Sequence, residues 1–310
     1  MLAMIGPARI SRLLSALLLA ALVSAILLPR ACPADDLEQS LRSRYANKTL
    51  VLRGFYYGDK LNYNSAGMLA GNLRSGDWTV DGVVHVTSIN VSDRRLTIHA
   101  DRLTLIYDGH ALAFQTSGNK KPKRARRLRI ETELDAGAAT AEKGQALLAK
   151  IFLTPPDRLA DIVPEYWKSC VLAASENLGK DRYTACRFGQ ELAAVPGVSE
   201  SGQDKDMATK IAGAPLVRVG KGVTPPRVRF APNPEFSTEA RELHYQGMIT
   251  LWFVVDTDGE PRDIRIAKPL GMGLDWKAVE CVEKWRFDPA QQDGQPVAVE
   301  MAVQVDFHLY

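Results

Sequence analysis

Catalysis or metal binding needs nucleophiles, bases or soft ligands at set spacings, and the chain's five histidines and four cysteines are the first residues to consider. His85, His99 and His110 lie 14 and 11 residues apart, so a meander of strands would bring them together, while His244 and His308 stand apart. No HExxH pair, paired-cysteine motif or carboxylate–histidine ladder accompanies them, and exposed strand histidines are the simpler reading. Gly213 to Lys221 has a superficial likeness to a phosphate loop. Six residues separate its glycines, however, and Gly222 stands where a Ser or Thr would have to hold magnesium. Gly271 and Gly273 precede a helix but follow no nucleotide-binding βαβ pattern, and there is no G-x-S-x-G elbow. The sequence offers no catalytic residue, no metal site and no cofactor, so the chain reads as something other than an enzyme.

Two cysteines have a structural reading instead. Cys170 and Cys186 have fifteen residues between them, and in an exported segment they are disulfide candidates; the bridge would contribute about 3 kcal/mol through loop closure. Two unpaired buried thiols are the alternative. Cys281 falls on the apolar face of a helix and reads as a small core residue. The basic run 120–129 holds Lys120, Lys121, Lys123, Arg124, Arg126, Arg127 and Arg129. Such clusters bind phosphates, anionic lipids or nucleic acid. Here no aromatics interleave to stack bases, and the net charge is only +3. A solvated loop leading into a strand is the preferred reading, with no nucleic-acid partner.

The segments that would position these residues fall into five stretches. Residues 1–34 begin with a basic flank, Arg9 and Arg12, and continue into an apolar run of about 16 residues, long for a signal core and short for a spanning helix. The segment is a signal peptide or a signal anchor, and either implies export. Residues 35–137 are rich in short β-branched runs separated by turn pairs such as Gly58-Asp59, Asp81-Gly82 and Asp108-Gly109. They predict an antiparallel meander or small barrel, with strands that include 49–57, 77–80, 95–100 and 102–107. Residues 138–193 turn helical, with Thr140 as a cap, Asp157 capping a second short helix and Pro164 opening a third. Residues 194–224 read as a linker that could reach roughly 100 Å when extended.

Residues 225–310 form a complete pattern in about 85 residues, near the size at which one core can stand alone. Ser237 or Thr238 caps a first helix, and an alternating strand runs from Met248 to Asp256. Asp258-Gly259 turns a hairpin. A second helix follows, with Asp275 as its cap and Leu274, Ala278, Cys281, Val282 and Trp285 on one face. The last strand alternates strictly: Val299, Met301, Val303, Val305 and Phe307 on one face, Glu300, Ala302, Gln304 and Asp306 on the other. The fold class is α+β throughout, ending in two helices on a three-stranded antiparallel sheet.

This order resembles the C-terminal domain of the TonB family over essentially all of 225–310. The residues that carry the likeness are Pro234, Glu235 and Phe236, then Ala240 and Arg241, Gly247, Asp258-Gly259 and Leu274-Asp275. The block from Trp285 to Ala290, Gly294 to Val297 and Phe307 complete it. Family members usually have Tyr-Pro where this chain has Phe236-Ser237. The resemblance implies a periplasmic binding module that takes an extended segment of an outer-membrane transporter onto its sheet edge. Carried over, the contact residues are Asn233 and the strand residues Val299 to Phe307. Inner-membrane motor proteins would be further partners if the N-terminal segment is retained. That segment has only Ser15 and Ser24 as polar groups and lacks the histidine of a motor-coupled anchor, and the family's Pro-rich spacer is absent. A soluble periplasmic binding or scaffold protein is therefore the alternative.

Overall fold

The computed structural model describes residues 33–310 except 93, 110, 117–125, 136–139, 176–216, 218 and 221. The signal or anchor segment up to residue 32, His110, most of the basic run, Cys186 and nearly all of the linker thus lie outside the described residues. Among the described residues no helix is long and apolar enough to cross a membrane.

The chain enters through α1 (Pro33–Tyr45), with Asp35 and Asp36 in its first turn and Arg42 and Arg44 in its last, matching the helix dipole at both ends. Leu37, Leu41 and Tyr45, four residues apart, are buried against the first sheet. That sheet has six strands: β1 (Thr49–Val51), β2 (Lys60–Tyr63), β3 (Val83–Ser92), β4 (Arg95–Tyr107), β5 (Leu112–Gln115) and β6 (Arg127–Glu133). Its order is β1-β3-β4-β6-β2, with β5 on the far end of β4. Between β2 and β3 lies α2 (Trp78–Asp81), and α3 (Ala141–Ile151) follows β6. Thr140 caps α3 as expected, its side chain accepting from Lys143 N.

Three expectations for this region are corrected. The sheet is open and mixed, because β2 pairs with β6 in parallel, Lys60 opposite Arg129. Parallel neighbours need a crossover, here made by α2 and the β3–β4 hairpin, and local alternation does not encode it. Residues 78–81 are helical rather than extended, since Asp77, itself extended, accepts from Thr79 N and caps the turn. Residues 95–107 are one strand of 13 residues, not two. The break expected at Asp101 does not occur, and Arg102 beside it is buried, paired with Asp81 at 3.3 Å and donating to the carbonyls of Tyr56 and Gly58.

After a 3-10 turn (Leu159–Asp161) and α4 (Glu165–Ser175), the C-terminal module begins. It contains β7 (Val223–Thr224), β8 (Arg227–Phe230), α5 (Thr238–Glu242), β9 (Gly247–Val255), β10 (Pro261–Lys268) and α6 (Leu274–Val282). β11 (Arg286–Asp288), β12 (Ala290–Gln292), β13 (Gln295–Val297) and β14 (Val299–Phe307) complete it. The main sheet is three-stranded and antiparallel, in the order β10-β9-β14. Ser237 is the cap of α5, its hydroxyl accepting from Ala240 N at 3.1 Å. Asp256 shapes the hairpin by accepting from Asp258 N and Glu260 N. Asp275 is not the cap of α6. Gly273 holds that place at φ 71°, and the buried Asp275 carboxylate reaches back to Leu270 N and Gly271 N at 2.9 and 2.7 Å.

The two modules share a core. Trp78, Leu105, Ile106, Phe114 and Trp167 belong to the same buried cluster as Ile249, Phe253, Leu270, Val282 and Phe307. Trp78 stands edge-on to Trp167 with ring centroids 5.0 Å apart. The backbone crosses the seam as well. Gly271 forms an antiparallel bridge with Ile106, Met272 N donates to Leu105 O at 2.8 Å, and Tyr107 N donates to Leu270 O at 3.1 Å. For this reason β4 is buried on both faces from Arg102 to Ile106, where the alternation of its first half ends.

Candidate functional site

β14 is held along its whole length by β9, from Val299 opposite Val255 to Phe307 opposite Gly247, with no shift of register. Val299, Val305 and Phe307 are buried, Met301 and Val303 half-buried, so the odd-numbered face lies on the core as the alternation predicts. The ring of Phe236 stands perpendicular to that of Phe307 at 5.4 Å, tying the segment ahead of α5 to the end of the strand. On the other face Glu300 pairs with Arg265 of β10 at 2.7 Å, while Ala302, Gln304 and Asp306 are exposed.

Among the described residues, the outer edge of β14 is open over most of its length. At its start Val217 bridges Val299 in parallel, with Val217 N donating to Ala298 O at 3.1 Å. A parallel bridge of this kind directs the backbone groups of the flanking positions, 298 and 300, outward. Because groups on one side of a strand recur every second residue, Ala302, Gln304 and Asp306 also direct N–H and C=O outward. Among the described residues no strand pairs with them. From Ala302 to Asp306 this leaves about 14 Å of free edge at the usual rise per residue. The opposite outer strand, β10, has α4 packed along it, one of the ways proteins cover an edge. The candidate site is therefore a row of backbone groups, with side chains arranged on either face.

Asn233, expected to touch the bound segment, is exposed and lies next to Pro232, whose carbonyl accepts from the Cys281 thiol of α6. What joins this stretch to β14 is Phe236. Cys281 is a buried free thiol, and Trp285 is only partly buried at the end of α6. Cys170 is buried in the shared core. His85 and His99 sit on β3 and β4, and among the described residues no group of three His, Cys, Asp or Glu side chains could hold a metal.

The described end of the basic run divides its labour. Arg126 turns to the seam, 2.8 Å from Asp81 and 3.7 Å from Glu239 of α5. Arg127 and Arg129 line an open cleft of about 630 Å³ with Asp59, Lys60, Thr87, His99 and Asp101. Lys60 and Arg129 are both engaged there by Glu131, at 3.0 and 2.6 Å. The seam itself, with Thr79, Tyr107, Tyr245 and Leu270 to Gly273, was not found by sequence reasoning. The signal that could have found it is the loss of alternation after Ala100.

Comparisons with known proteins bear on the C-terminal module. Residues 232–309 match the family described as Gram-negative bacterial TonB protein C-terminal. The C-terminal module is a member of that domain family. Protein tonB2 of Pseudomonas aeruginosa is 32% identical over 79 residues, which are 25% of this chain and 29% of that protein. The solution NMR structure of the Pseudomonas aeruginosa TonB CTD aligns over 94% of its own length and 30% of this chain, with 18% identity and a TM-score of 0.25.

Proposed function

We propose that this is an exported TonB-like protein whose C-terminal module takes up an extended segment of an envelope partner, an outer-membrane transporter, as a fourth strand on β14. The observation that carries this reading is the outward N–H and C=O row of Ala302, Gln304 and Asp306, with no neighbouring strand among the described residues. Strand addition draws its affinity from such main-chain bonds and its selectivity from alternate side chains. Val299 to Phe307 would form the contact, with Glu300, Ala302 and Gln304 beside the incoming segment and Asn233 at its margin. In this reading 225–310 is the binding unit, the residues before it hold it in place, and Cys170 pairs with Cys186. Energy transduction belongs to the reading only if the N-terminal segment is retained as an anchor and engages motor proteins.

A second reading, a periplasmic binding or scaffold protein with no transducing role, is favoured by the shared core. A transducer gains reach from an extended spacer, whereas here the module is packed against the β-rich region.

A photoreactive residue placed at Gln304 in the full chain in cells tests the proposal. It is expected to cross-link to an outer-membrane transporter, and Ala302→Pro in the same chain is expected to remove the product. A cross-link undiminished by the proline would rule out strand addition. Sequencing the mature N-terminus and fractionating the envelope separates the two readings: an intact Met1 in the inner membrane supports transduction, a start near Asp35 in the soluble periplasm the scaffold.

A further inference from the structure

The first part of the β14 edge is already occupied by the chain itself. Val217 forms a parallel bridge with Val299, and its N–H donates to Ala298 O at 3.1 Å. Residues bridged across neighbouring strands project to the same face of a sheet. Val217 follows this rule: it is half-buried and packs on the same apolar cluster that holds Val299. In backbone and side chain alike, Val217 does what one residue of an added strand would do.

Val217 is also held close to that place. The chain turns back between Gly220 and Val223, each donating its N–H to the carbonyl of the other at 3.3 Å. Val223 is buried, and the hydroxyl of Thr224 accepts from Gln291 N at 3.0 Å, so β7 is fixed to β12. Val217 lies only six positions before Val223. A tether this short gives an effective concentration on the order of millimolar. A guest that is more dilute and offers no better contacts therefore loses these positions to Val217. From Ala302 onward no such competitor lies on the edge among the described residues.

We infer that Val217 is an internal stop, which holds the edge from Ala298 to Glu300 and confines the partner's extended segment to Ala302 through Asp306. The inference rests on the strand-addition reading and narrows its contact. An antiparallel guest, the more stable pairing, would run from Asp306 towards Ala302, and its C-terminal end would meet Val217. Its ladder is then about five residues long, the stretch facing Ala302 to Asp306. Residues beyond that end must leave the sheet or displace Val217. Val217 thus selects guests by length, without touching the groups that bind them.

Hydrogen exchange of the full chain without partner tests the occupancy. After correction for intrinsic rates, the Val217 amide is expected to exchange at least about tenfold more slowly than the outward amides of Ala302, Gln304 and Asp306. Equal rates would overturn the stop. Photocross-linking in cells tests the consequence. A short diazirine side chain at Gln304 is expected to reach the outer-membrane transporter, and the same group at Glu300 to give at least about tenfold less product. In Val217→Pro, which removes the N–H, product at Glu300 should rise to the level at Gln304, which itself stays unchanged. If circular dichroism shows that this variant does not fold, Val217→Gly takes its place, removing the side chain from the core, with a rise in the same direction. Equal product at both positions in the unaltered chain, or no rise at Glu300 in the folded variant, would overturn the stop and leave strand addition standing. Absence of transporter product at Gln304 would overturn strand addition, and the stop with it, even where Val217 is protected.

Discussion

At Ile106 the end of β4 has neighbours on both sides, Ala113 of β5 and Gly271 of the β10–α6 loop. At Gln304 the equivalent position in β14 has Thr250 of β9 on one side and, among the described residues, nothing on the other. Both edges carry the same unmet backbone groups when the modules are considered apart. One is filled from within the chain and buried in a shared core; the other stays at the surface, flanked by Glu300 and Asp306. Where an edge is buried, every N–H and C=O must find a protein partner, because an unpaired one costs about 1–3 kcal/mol. Where it stays wet, water serves until a better partner arrives. The contrast separates the edge that builds the protein from the edge we assign to a partner.

The seam should respond most strongly to substitution. Trp78 is fully buried between Trp167 and Phe114, so Trp78→Ala is expected to cost about 3–5 kcal/mol. Thermal unfolding followed by circular dichroism should show one cooperative transition moved down as a whole. Two separate transitions in the unaltered protein would break the claim of a shared core. Gly271→Ala comes next. The left-handed backbone alone costs about 1–3 kcal/mol for a non-glycine residue, and an added Cβ would collide with Leu105 O. Exchange protection at Met272 and Tyr107 should be lost first, while cross-linking through Gln304 persists.

The sequence made the open edge easier to read than the buried one, and the reason is range. The cap at Ser237, the Asp258-Gly259 turn and the alternation of β14 are written in neighbouring residues, and the structure realises each. The Thr140 cap of α3 is of the same kind. The seam depends on Thr79 meeting Gly273 across 194 positions and Tyr107 meeting Tyr245 across 138. No local period records such meetings. The pair Asp101-Arg102 shows how this misleads: charge in an apolar run divides a strand at Asp101 on pattern alone, yet Arg102 is satisfied in the interior by Asp81 and two carbonyls and the strand runs on. Asp275 misled for the opposite reason. An acidic residue at a helix start is a good cap, but its carboxylate serves the loop behind it.

At the open edge the effects should be on binding rather than stability. The Ala302 and Gln304 amides point outward, so a proline at either position removes no ladder bond, and edge strands tolerate it. Gln304→Pro should keep the circular dichroism spectrum and lower partner capture by at least about tenfold, equivalent to about 1.4 kcal/mol. A matching proline at Val303, whose backbone faces β9, should unfold the sheet instead. If the two prolines behave alike, the assignment of inner and outer positions is wrong.

The smallest expected effects discriminate most finely between a backbone template and a side-chain interface. Glu300 and Arg265 form a partly exposed ion pair, and such pairs are worth about 0–1 kcal/mol. Glu300→Gln should change stability by no more than that. Gln304→Ala, at an exposed position with no core contact, should stay within about 0.5 kcal/mol. Since strand addition draws affinity from N–H and C=O groups that both variants keep, capture of the partner should change by less than about threefold, roughly 0.7 kcal/mol. Affinity measured for the two variants against the cross-linked segment checks this. A loss of more than tenfold in either, with the prolines harmless, would move the interface from the edge of β14 to its exposed face.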